Sequence, residues 1–317
     1  MYHELRKRGT SATDLFCFGL GYTARHFVAE FADRFDPIAG TVRDRDAAVR
    51  IAREGIAGKE IAALAFDGAA AAPEIAARLA ASDAVLVSVP PDGAGDPVLR
   101  CCAAALAAAP RLHTIVYLST IGVYGDHGGG WVDEGSAVDA ASERSRARLD
   151  AERGWTALAA RAGRALAILR LSGIYGPGRN ALVQVANATA RRIVKPGQVF
   201  NRIHVSDIAQ AISAALARRS DGVFNVTDDE ATPPGEPILF AADLLGVPPP
   251  PEVPFERAAA TMTPLALSFY AESRRVHNDK MKRELGVRLR YPTYREGLRA
   301  LLVAGEGVRA TVPQTRA

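Results

Sequence analysis

Cysteine is scarce in this chain: Cys17, Cys101 and Cys102 are the whole complement in 317 residues. No Cys-x-x-Cys pair and no Cys/His metal spacing occurs, so a disulfide scaffold is excluded and no metal is expected. That usage fits a reduced, cytoplasmic setting. Lysine is also rare, standing only at positions 7, 59, 195, 280 and 282, so arginine carries almost all the positive charge behind a net +4. The basic residues are scattered, with no stripe interleaved with aromatics, and a nucleic-acid partner is not expected. No apolar run approaches the roughly 18 residues that a membrane-spanning helix needs, so no membrane partner is expected either. The opening MYHELRKRGTSAT, residues 1–13, is basic and polar without a following apolar segment or cleavage site. It is expected to be a flexible leader rather than a secretory signal.

What is present is a regular alternation. Apolar runs at 14–21, 37–43, 60–67, 83–90, 113–120 and 165–178 read as strands. Helical spacing separates them, as in YTARHFVAEFADRF (22–35) and DPVLRCCAAALAAA (96–109). Buried strands divided by helices predict an α/β fold built on a doubly wound parallel sheet of the Rossmann type. After residue 178 the rhythm breaks, and the proline-rich stretches TPPGEP (232–237) and VPPPPEVP (247–254) separate short pieces. The expected division is a nucleotide-binding domain over 14–177 and a smaller C-terminal substrate lobe over 178–317, with about 202–227 returning to the first domain.

The segment FGLGYTA (18–24) ends the first strand and opens the first helix, matching GxGxx[GA] with Gly19, Gly21 and Ala24. Gly19 serves the tight turn, Gly21 lets the backbone approach a pyrophosphate, and Ala24 allows close helix–strand packing. With Tyr22 and Thr23 these residues present the start of a helix to an anion. The second strand ends AGTVRD, where an NAD site usually carries an acidic residue for the ribose 2′-hydroxyl. Arg43 there can meet a 2′-phosphate, which favours NADP over NAD. Asp44 argues the other way unless it caps the next helix.

Four segments then line up in order: FGLGYTA, YLSTIGVYG (117–125), LRLSGIYGPGRN (169–180) and RIHVSDIA (202–209). Together they resemble the extended short-chain dehydrogenase/reductases, the NAD-dependent epimerase/dehydratase family, over about residues 14–305. The resemblance implies the fold already deduced and a small-molecule substrate, and it leaves a homodimer open. It implies that Asp67 lies near the adenine. It also puts Ser88, Val89, Pro90 and Ser119 along the nicotinamide half of the cofactor. Thr120 matches the family's Ser/Thr four residues before the tyrosine of VYG, here Tyr124. Tyr175, Arg179, Asn180, Arg202 and His204 fall at the substrate-lobe junction.

The departure lies in SERSRARLDAE (142–152). The family usually carries Tyr-x-x-x-Lys there, one helical turn apart. The tyrosine moves the proton and the lysine binds the nicotinamide ribose. Here the two positions are Arg144 and Arg148, and no register repairs the loss, because no lysine occurs between 59 and 195 and no tyrosine between 124 and 175. Arg148 can still donate to ribose hydroxyls, but a guanidinium is no acid or base near neutral pH. Tyr124, Tyr175 and His204 are the conceivable substitutes. Two functions follow. One is an NADP(H)-dependent oxidoreductase, epimerase or dehydratase with an unusual acid/base group. The other is a non-catalytic NADP(H)-binding redox sensor. The loop HGGG (127–130) lacks the GxSxG elbow an esterase would need, and is expected to be a flexible loop with Trp131 packed at its edge.

Overall fold

A computed structural model describes residues 13–307; the first twelve residues of the expected leader and residues 308–317 lie outside it. The strands are β1 (Thr13–Phe18), β2 (Phe35–Val42), β3 (Ala62–Ala65), β4 (Ala84–Val87), β5 (Thr114–Thr120), β6 (Trp131–Val132), β7 (Ala165–Leu171), β8 (Gly173–Tyr175), β9 (Arg192–Val194), β10 (Arg202–His204), β11 (Gly222–Val226), β12 (Glu252–Pro254) and β13 (Arg275–Val276). The helices are α1 (Tyr22–Phe31), α2 (Arg45–Glu54), α3 (Pro73–Ala81), α4 (Pro97–Ala108), α5 (Glu143–Ala162), α6 (Ala181–Ala186), α7 (Val205–Arg218), α8 (Glu236–Leu244), α9 (Phe255–Ala259), α10 (Pro264–Tyr270) and α11 (Tyr294–Val303).

Seven strands form one sheet in the order β11-β7-β5-β4-β1-β2-β3. The pairs β1–β2, β1–β4, β2–β3 and β4–β5 are parallel, as the continuous apolar runs require. The doubly wound α/β fold is therefore present. The strand order reverses between β1 and β4, and ligands of such sheets bind beyond the carboxyl ends of the strands at that reversal.

The described chain forms two compact units. Among the described residues, unit 1 comprises 13–119, Ala147–Leu169 and Ile212–Val223, and unit 2 comprises Thr120–Arg146, Arg170–Ala211 and 224–307. The core of unit 1 packs Phe16, Phe18, Val85, Val87 and Ile115 from the strands against helix residues such as Trp155, all fully buried. Unit 2 has smaller clusters, the main one joining Tyr175, Leu182, Ala241, Tyr294, Leu298 and Leu301.

Several boundaries differ from the sequence expectation. Thr13, expected at the end of the leader, opens β1. The single strand expected to lead into the turn within 165–178 is two strands, because the chain changes partner after Leu171. Gly173 N donates to Asn201 O, and β8 pairs in parallel with β10 instead of continuing in the main sheet. Gly173 suits that switch, since a Cβ there would stand 3.1 Å from Asn201 O. The glycine-rich loop after β5 is tied down. His127 N and Gly129 N both donate to Ser273 O, and β6 pairs with β13. Trp131, at the edge of that loop, is 57% exposed and stacks on His277, with ring centroids 4.5 Å apart.

Candidate functional site

In unit 1, β1 ends at Phe18 and the chain turns through Gly19 at φ +87°, a conformation that favours glycine. The turn is held from two sides. Gly19 N donates to Thr41 Oγ1 at 3.0 Å, and Ser88 Oγ donates to Gly19 O at 2.6 Å. A Cβ on Gly19 would stand 2.9 Å from Val89 Cγ2, so the residues after β4 close directly on the turn. Gly21 is the N-cap of α1 and makes no side-chain cap bond; the first turn carries no acidic residue. A Cβ on Gly21 would meet nothing within 4 Å. An uncapped helix start with open space at its glycine and no competing carboxylate fits the pyrophosphate of a dinucleotide. Ala24 is fully buried, Tyr22 and Thr23 are half-buried, and Pro90 is exposed.

At the end of β2 the polar side chains have distinct employment. Thr41 is buried and holds Gly19. Asp44 caps α2, accepting from Ala47 N at 2.7 Å. Arg43 between them is exposed. Asp67 is exposed and accepts from Ala69 N at 2.9 Å.

The far end of β5 is gripped by α5, still within unit 1. Arg148 is buried; its guanidinium donates to Leu118 O and its centre lies 5.6 Å from the Tyr117 ring centroid. One turn later, Glu152 Oε1 accepts from Ser119 Oγ at 2.5 Å, with both residues buried. The group of buried charges continues to Asp96, which caps α4 and accepts from Trp155 Nε1 at 3.0 Å. Burial raises the Asp96 pKa, opposed by its hydrogen bonds from Leu99 N and Trp155. Burial likewise drives the Tyr117 phenol well above its ordinary range, with Arg148 pulling the other way.

In unit 2, Thr120 Oγ1 accepts from Gly122 N at 3.1 Å. Ser145, buried, is close by: a Cβ on Gly122 would stand 2.9 Å from Ser145 Oγ and 3.4 Å from Thr120 Oγ1. Arg144 is exposed and lies over the ring of Phe269, 5.8 Å from its centroid. Tyr124 is fully buried; its hydroxyl donates to Asn225 Oδ1 at 2.7 Å, and the Arg170 guanidinium sits 4.8 Å from its ring centroid. Burial raises the Tyr124 pKa, partly offset by Arg170.

The expected substrate residues of unit 2 fall in different settings. Tyr175, Arg202 and His204 share one buried cluster. The Tyr175 and His204 rings are 5.1 Å apart, and Tyr291 closes on His204 at 4.2 Å. Tyr175 Oη donates to Thr293 O at 3.4 Å, and burial, reinforced by Asp228 and Asp207, pushes its pKa far up. His204 Nδ1 accepts from Ser206 N at 3.1 Å. Arg202 donates to Phe200 O and Thr232 Oγ1. Beside it is Asp228, 3% exposed, which sequence reasoning did not single out. Burial pushes its carboxyl up to about 8 despite opposing hydrogen-bond and Arg202 effects. Asn180 caps α6 through Val183 N and also donates to Gly176 O and Glu306. Arg179 is exposed. Among the described residues no group of three or more His, Cys, Asp or Glu could hold a metal ion, and no helix is long and apolar enough to cross a membrane.

Residues 96–227 match the model of the NAD dependent epimerase/dehydratase family. A conserved protein of unknown function from Silicibacter pomeroyi is 43% identical, with a TM-score of 0.81 over 93% of this chain and 99% of that one. Over that segment the chain carries the pattern of the NAD dependent epimerase/dehydratase family. The UDP-glucose-4-epimerase of Stenotrophomonas maltophila, solved with bound NAD and formylated UDP-arabinopyranose, shares the fold at 21% identity. The TM-score there is 0.70 over 91% of this chain and 96% of that one. The 3-diazoavenalumate denitrifying reductase of a Streptomyces species is 30% identical over 142 residues, 41% of this chain. That match spans 45% of the reductase's length. The cofactor class of the family is NAD.

Glu152, Ser145, Asn225 and Asp228 are the polar groups that the sequence alone did not bring forward. Glu152, Asn225 and Asp228 act through partners remote in sequence, Ser119 and Glu152 being 33 positions apart, whereas Ser145 bonds to Ser142 nearby. Only Glu152 left a local trace, as the residue one turn beyond Arg148.

Proposed function

We propose that this protein binds NADP(H) at the Gly19–Gly21 turn and transfers hydride to or from a small carbonyl or sugar-like compound, as an oxidoreductase, epimerase or dehydratase without the usual acid/base group. The observation that carries the reading is the open, uncapped start of α1 beneath a clamped glycine turn. Gly19, Gly21, Tyr22, Thr23 and Ala24 would hold the pyrophosphate. Ser88, Val89, Pro90 and Ser119 would line the nicotinamide half, and Asp67 would lie near the adenine. NADP is preferred because Thr41 and Asp44 are engaged elsewhere while Arg43 is exposed at the strand end.

When bound, the nicotinamide supplies a hydride. The chain's part is to meet the negative charge that grows on the substrate oxygen. Thr120 suits that role, since its oxygen already accepts from Gly122 N and its proton is left to donate outward. Arg144 adds fixed positive charge without giving up a proton. Tyr124, Tyr175 and His204 are buried in polar clusters, so the proton that completes reduction comes from water. The absence of a positioned acid costs about 10²–10⁴-fold in rate, and slow turnover is expected. Tyr175, Arg179, Asn180, Arg202 and His204 belong to the substrate side. Arg202 is the group there most suited to an anion.

A second reading, a redox sensor that binds NADP(H) without turnover, is favoured by one observation: Arg148, in the lysine position, turns its guanidinium to Leu118 O. Thermal shifts with NADPH and NADH, followed by a carbonyl and sugar panel monitored by NADPH absorbance, decide between them. A larger shift with NADPH and a turnover that Thr120→Ala reduces support the first reading. Binding without turnover across the panel supports the sensor. No shift with either dinucleotide sinks both.

A further inference from the structure

Ser119 is the penultimate residue of β5, at the carboxyl edge of a parallel sheet where such folds bind their ligands. A serine hydroxyl has one proton to donate and two lone pairs to accept. In unit 1 that proton goes to Glu152 Oε1 over 2.5 Å, between two groups that are each at least nine-tenths buried. The geometry is enforced. Arg148, on the preceding turn of α5, holds Leu118 O, so consecutive turns of the helix grip consecutive residues of the strand. Thr156 Oγ1 donates to Glu152 O, securing the helix around the carboxylate. With its proton engaged, Ser119 Oγ has only acceptor capacity left. On the nicotinamide half of a dinucleotide the donors that suit such an acceptor are the carboxamide N–H and the ribose hydroxyls, and of these only the carboxamide sits on the nicotinamide ring.

We propose that Glu152 fixes Ser119 as an obligate acceptor for the carboxamide N–H of a bound nicotinamide, which makes Glu152 a positioning residue for the cofactor. The inference rests on the NADP(H) reading above. Ser119 gives direct contact and Glu152 sets its polarity.

The test compares NADPH with reduced 3-acetylpyridine adenine dinucleotide phosphate, in which a methyl group replaces the amide nitrogen. Dissociation constants are measured by fluorescence titration of the full-length protein. One lost hydrogen bond of about 1.4 kcal/mol corresponds to a tenfold preference for NADPH in the wild type. Ser119→Ala and Glu152→Leu are expected to bring the two constants within about twofold of each other. Glu152→Gln keeps an acceptor oxygen for Ser119 and is expected to retain the preference. A purely structural role for Glu152 would weaken both ligands alike and leave their ratio untouched. Equal affinities in the wild type, or an unchanged ratio in Ser119→Ala, overturn the proposal while leaving the cofactor reading standing. Should Glu152→Leu fail to fold, Ser119→Ala and Glu152→Gln still decide. Failure of the wild type to bind either dinucleotide overturns the cofactor reading and this inference together.

Discussion

The ring of Tyr175 occupies the space that a side chain at position 297 would need. A Cβ on Gly297 would stand 2.7 Å from Tyr175 Cε2 and closer still to its hydroxyl. In most helices a Gly→Ala change gains up to about 1 kcal/mol of propensity. At this position the sign is expected to reverse. Gly297→Ala should cost about 1–3 kcal/mol, because it overpacks a buried aromatic. Urea unfolding of the two proteins checks this, and a stabilised variant would show that Tyr175 has room to move.

Asp228 should make stability depend on pH. Its carboxyl titrates near 3.8 in the unfolded chain and at about 8 in the folded one. A folded-state pKa raised in this way contributes stability that is complete below the unfolded value. The contribution is lost as pH rises through the folded value, by at most about 1.4 kcal/mol per pH unit. Between about pH 4 and 8 the wild type should therefore lose stability faster than Asp228→Asn, which removes this proton, and above that window the two should run parallel. Parallel unfolding profiles for the two proteins would contradict the raised value.

Tyr124 is expected to act through packing rather than chemistry. Its hydroxyl donates to Asn225 Oδ1 in a fully buried pair. Tyr124→Phe should cost about 1–3 kcal/mol by stranding that oxygen, with NADPH affinity unchanged. A variant of normal stability whose turnover falls more than a hundredfold would instead make Tyr124 the missing acid.

Arg43 should discriminate between the two dinucleotides. A charge-assisted contact to the 2′-phosphate is worth about 1.5–3 kcal/mol. Arg43→Ala should therefore weaken NADPH binding by at least tenfold, and leave NADH, which lacks that phosphate, where it was. Isothermal titration of both ligands measures the difference, and equal losses for the two would assign Arg43 to the surface.

The architecture was legible where a local pattern carries it. Buried apolar runs announced the sheet, and the spacing of Gly19, Gly21 and Ala24 announced the turn that the structure shows clamped by Thr41 and Ser88. Partner exchange was not legible. The run from Ala165 to Tyr175 reads as one largely apolar strand, yet the switch of β8 to β10 depends on Asn201, which lies beyond it in sequence. β6 and β13 are two residues each, too short for any periodicity, and they find each other across more than a hundred residues. The chemistry of SERSRARLDAE was half legible. The arginines were visible as a departure. That Arg148 faces a backbone carbonyl and Glu152 a serine required three dimensions.

The interleaving of chain segments has a consequence for biosynthesis. Unit 1 draws on residues up to Val223, so a ribosome that has released only the first five strands holds a sheet whose β5 edge still awaits β7. Pairings this distant in sequence slow folding and leave apolar edges open meanwhile. Slow decoding between the codons for Thr120 and Ala165 would prolong that interval, and a chaperone should engage the nascent chain there.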